Sequence, residues 1–277
     1  MRKAIIGGTG VYSLDGGQIE SRTVITDYGA VEVDILKSDT TAEIVFLARH
    51  GRGHDVPPHL INYRANMMAL SLLGVDEVYA TCAVGSMREA FGVGEVVLLK
   101  DFMDFTKSRI QTFFDGSNHG VKDCRGDVKC GVAHATMSSP YCLELCQAFR
   151  DEAGKTGILL KGEAVYVCTE GPRFETAAEI AMYSHLGGDV VGMTNVPECV
   201  LAKELGMCYS AVGIVTNWCT GIHPGTIEIH DINKAMTENK EMVTAAFISI
   251  LSDAGRMGSK AGQGKKTCRC DRSLISL

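Results

Sequence analysis

Two periods of apolar placement run through this chain. Short apolar runs of strand length fall at residues 3–6, 43–48, 77–81, 94–99, 161–168 and 208–215, and several end in glycine, serine or threonine. Between them lie segments with apolar positions three and four apart, the spacing that gives a helix one buried stripe. These segments are 62–73 (apolar at Met67, Leu70 and Leu73), 140–153, 177–186, 200–205 and 229–251. Pro140 suits the first turn of its helix, with Ser138 or Ser139 as the cap. Strands alternating with helices, each strand ending in small or polar residues, predict a single α/β domain with a mixed, mostly parallel sheet and a site at the strand ends. The domain is expected over 1–254. Residues 107–127 are polar and aperiodic and read as a surface loop, a candidate lid carrying Arg109.

Composition changes this picture only at the C-terminus. Apolar residues make up 45% and charged residues 22%, which supplies a core. From Arg256 onward six basic residues face Asp271, a balance of +5, which leaves −11 for the rest of the net −6. An acidic body argues against a nucleic-acid partner. The tail, 255–277, reads as a solvated, flexible arm. No apolar run has membrane length and the first residues do not form a signal peptide, so a cytoplasmic protein is expected, with no membrane partner. Eleven cysteines are many, yet most stand singly in apolar runs, and the paired CxxC spacing of a zinc site is missing. Only Cys268-Arg269-Cys270 stands out.

Two loops carry candidate anion chemistry. Gly7-Gly8-Thr9-Gly10 follows the first strand, where backbone N–H groups and the Thr9 hydroxyl could meet a phosphate; a plain tight turn fits as well. A dinucleotide fingerprint fails, because Ser13 stands where its third glycine belongs. Arg49, His50, Arg52 and His54 crowd together after the second strand, an arrangement that asks for an anion to neutralise it.

Five blocks in order carry a family resemblance: Gly7-Gly8-Thr9-Gly10, Ala48-Arg49-His50-Gly51, Asn62-Tyr63-Arg64-Ala65-Asn66, Glu170-Gly171-Pro172-Arg173-Phe174 and Met193-Thr194-Asn195-Val196-Pro197-Glu198. Together they resemble the purine nucleoside phosphorylase and methylthioadenosine phosphorylase family, from residue 3 to about 251. The resemblance implies a purine-salvage pentosyltransferase, a single-domain α/β fold, and assembly as trimers or hexamers. It implies no metal or organic cofactor; inorganic phosphate is a substrate. Carried over, phosphate would meet Thr9, Arg49, His50, Cys82, Ala83 and Thr194, with Cys82 standing where methylthioadenosine phosphorylases have threonine. A thiol donates poorly, so the backbone is the firmer contact there. Met193 would lie on the ribose and Phe174 on the base.

Three positions separate substrates. Adenine-specific members have aspartates where this chain has Asn217 and Cys219 and a serine where it has Glu175, whereas members acting on inosine and guanosine carry the glutamate and the asparagine. The chemistry agrees: a 6-oxopurine offers N1–H to the Glu175 carboxylate, whereas adenine would turn a lone pair towards it. Asn217 can stabilise charge on the departing base. His230 corresponds to a histidine that meets the ribose 5′-hydroxyl, although its place at the start of the last helix also suits a cap. His134 corresponds to a residue that arrives from a neighbouring subunit. The expected reaction is phosphorolysis of inosine or guanosine to free base and ribose 1-phosphate. A 5′-methylthioinosine or 5′-methylthioadenosine phosphorylase is the alternative, and a non-catalytic nucleoside-binding protein the alternative from another class. Some heat-stable relatives carry disulfides and a C-terminal CxC, which makes Cys142 with Cys208, and Cys268 with Cys270, the pairs to test against fully reduced thiols.

Overall fold

The strands at 3–6, 77–81 and 208–215 become the middle of one sheet because their residues are apolar on both faces. In a computed structural model, which describes residues 2–7, 18–37, 43–117, 119–224, 229–253, 268 and 270–276, they are β1 (Arg2–Gly7), β5 (Val75–Ser86) and β12 (Cys208–Trp218). With β2 (Gln18–Thr26), β3 (Gly29–Lys37), β4 (Ile44–Ala48), β6 (Val96–Phe105), β10 (Leu160–Thr169) and β11 (Val190–Gly192) they form a 9-stranded sheet, in the order β11-β10-β6-β12-β5-β1-β4-β3-β2. The neighbours of β1 and the pairs β5–β12, β6–β10 and β10–β11 are parallel; β6 against β12, and the hairpin β2–β3 with β4, are antiparallel. The mixed α/β sheet therefore stands as expected. The edge strand β11 also pairs antiparallel with the end of β5, Val191 opposite Gly85, so β11, β10, β6, β12 and β5 close on themselves.

Helices cover the sheet. α1 (Tyr63–Leu72) starts where Asn62 accepts the N–H of Ala65, at 3.1 Å. α2 (Leu143–Thr156) packs with α5 (Ile229–Ser252) on β12, and Phe247 of α5 stacks on Tyr79 of the adjacent β5 at 4.5 Å between centroids and 9° between planes. α3 (Ala177–His185) opens with a capping box between Thr176 and Glu179. α4 (Asn195–Glu204) packs on α1. Among the described residues, no helix is long and apolar enough to cross a membrane.

Several expectations need correction. The helix at 140–153 begins later, with Cys142 as its N-cap and no side-chain cap, so Pro140, Ser138 and Ser139 lie ahead of it. The strand at 77–81 continues through Cys82 to Ser86. The hairpin β2–β3 was not foreseen, although Val31, Val33 and Ile35 alternate inward with polar residues between them. The loop at 107–127 is not an open lid: Phe113 and Phe114 are buried, and so is the Arg109 side chain. The flexible tail does not extend to its last residues either. Besides the short antiparallel pair β7 (Val121–Lys122) and β8 (Val128–Lys129), β13 (Leu274–Ser276) pairs antiparallel with β9 (Ala133–Ala135), and Cys270 is buried. None of the eleven cysteines is in a disulfide in this structure, neither Cys142 with Cys208 nor Cys268 with Cys270.

Candidate active site

Where β5, β12 and β11 meet, Asn217 and Val191 both lie opposite Gly85 in register. A methyl group on Gly85 would come within 2.9 Å of the Cys219 sulfur and 3.1 Å of Asn217 Nδ2, so only glycine lets these groups converge. Beside this junction opens a cavity of about 570 Å³. Ten of the residues expected in the site line it: Arg49, His50, Cys82, Ala83, Phe174, Glu175, Met193, Thr194, Asn217 and Cys219. Thr9 lies outside the described residues, as does the side chain of His230, whose backbone lies near the start of α5. His134 does not line the cavity; it is exposed on β9, opposite Ile275 of the tail.

The cationic loop resolves differently from the sequence argument. Arg49 is only 2% exposed, and its Nε and Nη2 donate to the two Glu198 carboxylate oxygens at 2.6 and 2.7 Å, while Nη1 donates to the Thr81 carbonyl at 2.9 Å. Burial opposes its charge, but Glu198 more than compensates and keeps the guanidinium protonated. Arg52 turns outward to Asp34 and Glu32. His50 donates from Nδ1 to the Val56 carbonyl at 2.9 Å when neutral, which leaves Nε2 as an acceptor. Burial, and then the adjacent Arg49 charge, lower its pKa to about 4. The four groups therefore do not crowd as uncompensated cations: burial lowers the pKa of both His50 and His54, and the two arginines have carboxylate partners.

A buried polar chain fixes this end of the cavity. Tyr141 Oη donates to Asn195 Oδ1 at 2.6 Å, Asn195 Nδ2 donates to Tyr209 Oη at 3.0 Å, and Tyr209 Oη donates to Glu198 Oε1 at 2.6 Å. Glu198 then holds Arg49. Tyr166 Oη accepts the Thr194 N–H at 3.1 Å, and the Thr194 hydroxyl makes no cap bond to α4. Gly192 leaves room for that phenol, since a Cβ there would lie 2.6 Å from Tyr166 Oη. The Cys82 thiol, with its pKa pushed up to about 12 by burial, donates to the Val212 carbonyl at 3.7 Å, along the sheet.

At the other end the bonds are local. The Thr169 hydroxyl donates to Glu175 Oε1 at 2.6 Å. Asn217 donates from Nδ2 to the Trp218 carbonyl at 3.0 Å and accepts the Thr216 hydroxyl at 2.9 Å, which leaves one amide N–H for a ligand. Phe174 is 46% exposed at the rim.

Sequence reading missed the residues behind this surface. Arg109 donates to the carbonyls of Val196 at 2.7 Å, Glu170 at 2.8 Å and Thr169 at 3.1 Å, tying the segment that carries Glu175 to the start of α4. Glu198 and Asn195 sit inside a block quoted for resemblance, and that was the only signal available; Tyr141, Tyr166 and Tyr209 gave none.

The chain belongs to the phosphorylase superfamily: residues 4–252 match that family. It is 47% identical to a probable 6-oxopurine nucleoside phosphorylase of Dictyoglomus turgidum, over 99% of this chain and 97% of the relative. It is 44% identical to the 6-oxopurine nucleoside phosphorylase of Pyrococcus furiosus, over 94% and 96%. A probable S-methyl-5′-thioinosine phosphorylase of Methanothermobacter thermautotrophicus is 40% identical over 98% and 88%. Among solved structures, a methylthioadenosine phosphorylase from an antarctic soil metagenomic library superposes with a TM-score of 0.83 at 28% identity, covering 99% of this chain and 92% of that one.

Proposed function

We propose that the protein is a 6-oxopurine nucleoside phosphorylase that converts inosine or guanosine, with inorganic phosphate, to free base and ribose 1-phosphate. The observation that carries this reading is one cavity lined both by Glu175 and Asn217 and by Arg49, His50, Ala83 and Thr194. A hydrogen-bonding pair for a purine thus shares one space with donors for an anion. The names of the relatives at 44 and 47% identity support the same base class.

In this reading phosphate lies against the Thr194 hydroxyl, the Ala83 backbone, the remaining N–H groups of Arg49 and the Thr9 loop. Because Glu198 already balances Arg49, that end adds hydrogen-bond donors more than net positive charge. Neutral His50 accepts a hydrogen bond at Nε2 from the one P–OH of the hydrogen-phosphate dianion, which keeps its proton and attacks C1′ through an unprotonated oxygen. Positioning supplies much of the acceleration. Glu175 Oε2 accepts the purine N1–H, Asn217 donates its remaining N–H to the base as negative charge builds there, Met193 and Phe174 pack on sugar and base, and Cys219 lies beside the base end. No covalent enzyme intermediate is needed, and phosphate is consumed as a substrate.

The chain works as a cytoplasmic homo-oligomer, trimer or hexamer, in which His134 on its exposed strand β9 reaches a neighbour's cavity while His230 meets the 5′-hydroxyl. A second reading, 5′-methylthioinosine phosphorylase, keeps Glu175 and Asn217 and differs around the 5′ group; the 40%-identical relative's name favours it. Phosphorolysis of inosine, guanosine, methylthioinosine and methylthioadenosine, each with and without phosphate, tests both. Inosine or guanosine should lead. Methylthioinosine in first place would select the second reading, methylthioadenosine in first place would reject the base assignment, and base release independent of phosphate would reject phosphorolysis.

A further inference from the structure

Away from the cavity, four cysteines distant in sequence meet. Cys142 caps the start of α2, Cys208 opens β12, and Cys268 and Cys270 belong to the tail. Their four sulfurs all lie within 4.8 Å of one another, with Cys208 and Cys268 at 3.4 Å, and Cys142, Cys208 and Cys270 are buried. A tetrahedral zinc thiolate with Zn–S bonds of about 2.3 Å sets its sulfurs roughly 3.8 Å apart, so this spread suits one ion at the centre. Backbone and side-chain bonds hold the ligands from outside. The Cys142 N–H donates to the Tyr209 carbonyl at 2.8 Å, and the Cys268 N–H donates to Glu144 Oε1 at 2.6 Å. Arg125 pairs with Asp271 at 3.2 Å, next to Cys270, and the Thr136 N–H donates to the Ser273 carbonyl at 2.7 Å.

A second observation concerns charge. Lys203 is only 4% exposed, and its Nζ is hydrogen-bonded to the Cys270 sulfur at 4.0 Å. Thiols or disulfides are neutral and would give that ammonium no counter-charge, at a high cost for a buried ion. Four thiolates on a divalent cation carry a net charge of −2 and do so. The start of α2 adds a favourable helix-end field at Cys142.

We propose that Cys142, Cys208, Cys268 and Cys270 form a structural tetrathiolate site for one zinc ion, which fastens the C-terminal segment to α2 and β12. Binding forms four Zn–S bonds at the expense of four S–H bonds and releases the thiol protons to solvent; no electrons move. All four positions are taken by protein, so the ion is structural and has no open place for substrate. The search for CxxC pairs overlooked it because Cys142 and Cys208 are far apart in sequence and the remaining pair is CxC.

The test is metal analysis of the full-length protein, purified under reducing conditions without chelator. About one zinc per chain is expected, retained through gel filtration, lost in Cys270→Ser and kept in Cys130→Ser, whose exposed thiol lies outside the cluster. Replacement with Co²⁺ should give the visible and thiolate-to-metal charge-transfer bands of a tetrahedral tetrathiolate. Native protein without zinc that also fails to take up Co²⁺ after reduction overturns the proposal, and this needs no variant. So does a count of seven thiols in non-reducing denaturant, the eleven less the four, because the cluster would then be two disulfides. Bound iron in place of zinc overturns the choice of metal.

Discussion

The two ends of the cavity are built on opposite plans. At the Arg49 end the charged and polar groups are closed by other buried groups, in the chain Tyr141, Asn195, Tyr209, Glu198, Arg49. At the Glu175 end each side chain is held by a near neighbour in sequence, Thr169 for Glu175 and Thr216 for Asn217, with hydrogen-bonding capacity left over. The difference separates two tasks. The first end holds its geometry whatever ligand arrives, and stability resides there. The second end keeps donors and acceptors open, and the proposed function puts the choice of substrate there. Mutations should therefore sort cleanly, with stability losses at one end and kinetic losses at the other.

The largest effect should come from Glu198→Gln. It leaves Arg49 charged, buried and poorly paired, and should cost about 3–5 kcal/mol of unfolding free energy, read by denaturant titration; a loss under about 1 kcal/mol would mean that the pair is not closed in solution. Next comes Asn217→Ala. It should lower kcat on inosine by roughly 10²–10³-fold with unfolding unchanged to within about 1 kcal/mol, and a fall in stability with intact kcat would reverse the comparison. The third test uses pH. His50 has its folded pKa lowered from 6.5 to about 4, so the unfolded chain takes up its proton first. The contribution is constant above about pH 6.5, and stability should fall as pH drops from there towards about 4, by up to about 3 kcal/mol. His50→Gln should flatten that part of the stability curve, and an unchanged slope would remove the neutral buried histidine. The smallest effect belongs to Cys82→Thr, whose hydroxyl is a better donor than the thiol. It should lower the KM for phosphate severalfold if that side chain can turn from the Val212 carbonyl, a change worth about 1 kcal/mol; no change would confine the contact to the backbone.

How much could be read in advance follows from the same division. Apolar runs located β1, β4, β5, β6, β10 and β12, and helical spacing located α1, α3 and α5, because these are local patterns. Ten of the cavity's lining residues were legible, through short blocks that follow strand ends and the resemblance those blocks carry; the stretch from Asp55 to Pro58 was not. The partners of those residues were not: nothing local marks Glu198 as the mate of Arg49, or Arg109 as buried beneath a polar loop. The tail failed for a related reason. Its composition is that of a solvated arm, and averaging over it hid Leu274 and Ile275, which form a strand only because β9 offers an edge. A charge argument also misled, since Arg49 and its neighbours did crowd together, but their neutralisation came from within the chain.

The Arg49–Glu198 pair spans 149 residues of sequence. Closing so long a loop early costs entropy that only a nearly complete set of sheet contacts can offset. The Arg49 end of the cavity should therefore be among the last features to form during refolding. Far-ultraviolet signal from strands and helices should return ahead of phosphorolytic activity, and the interval between them measures how late these distant residues meet.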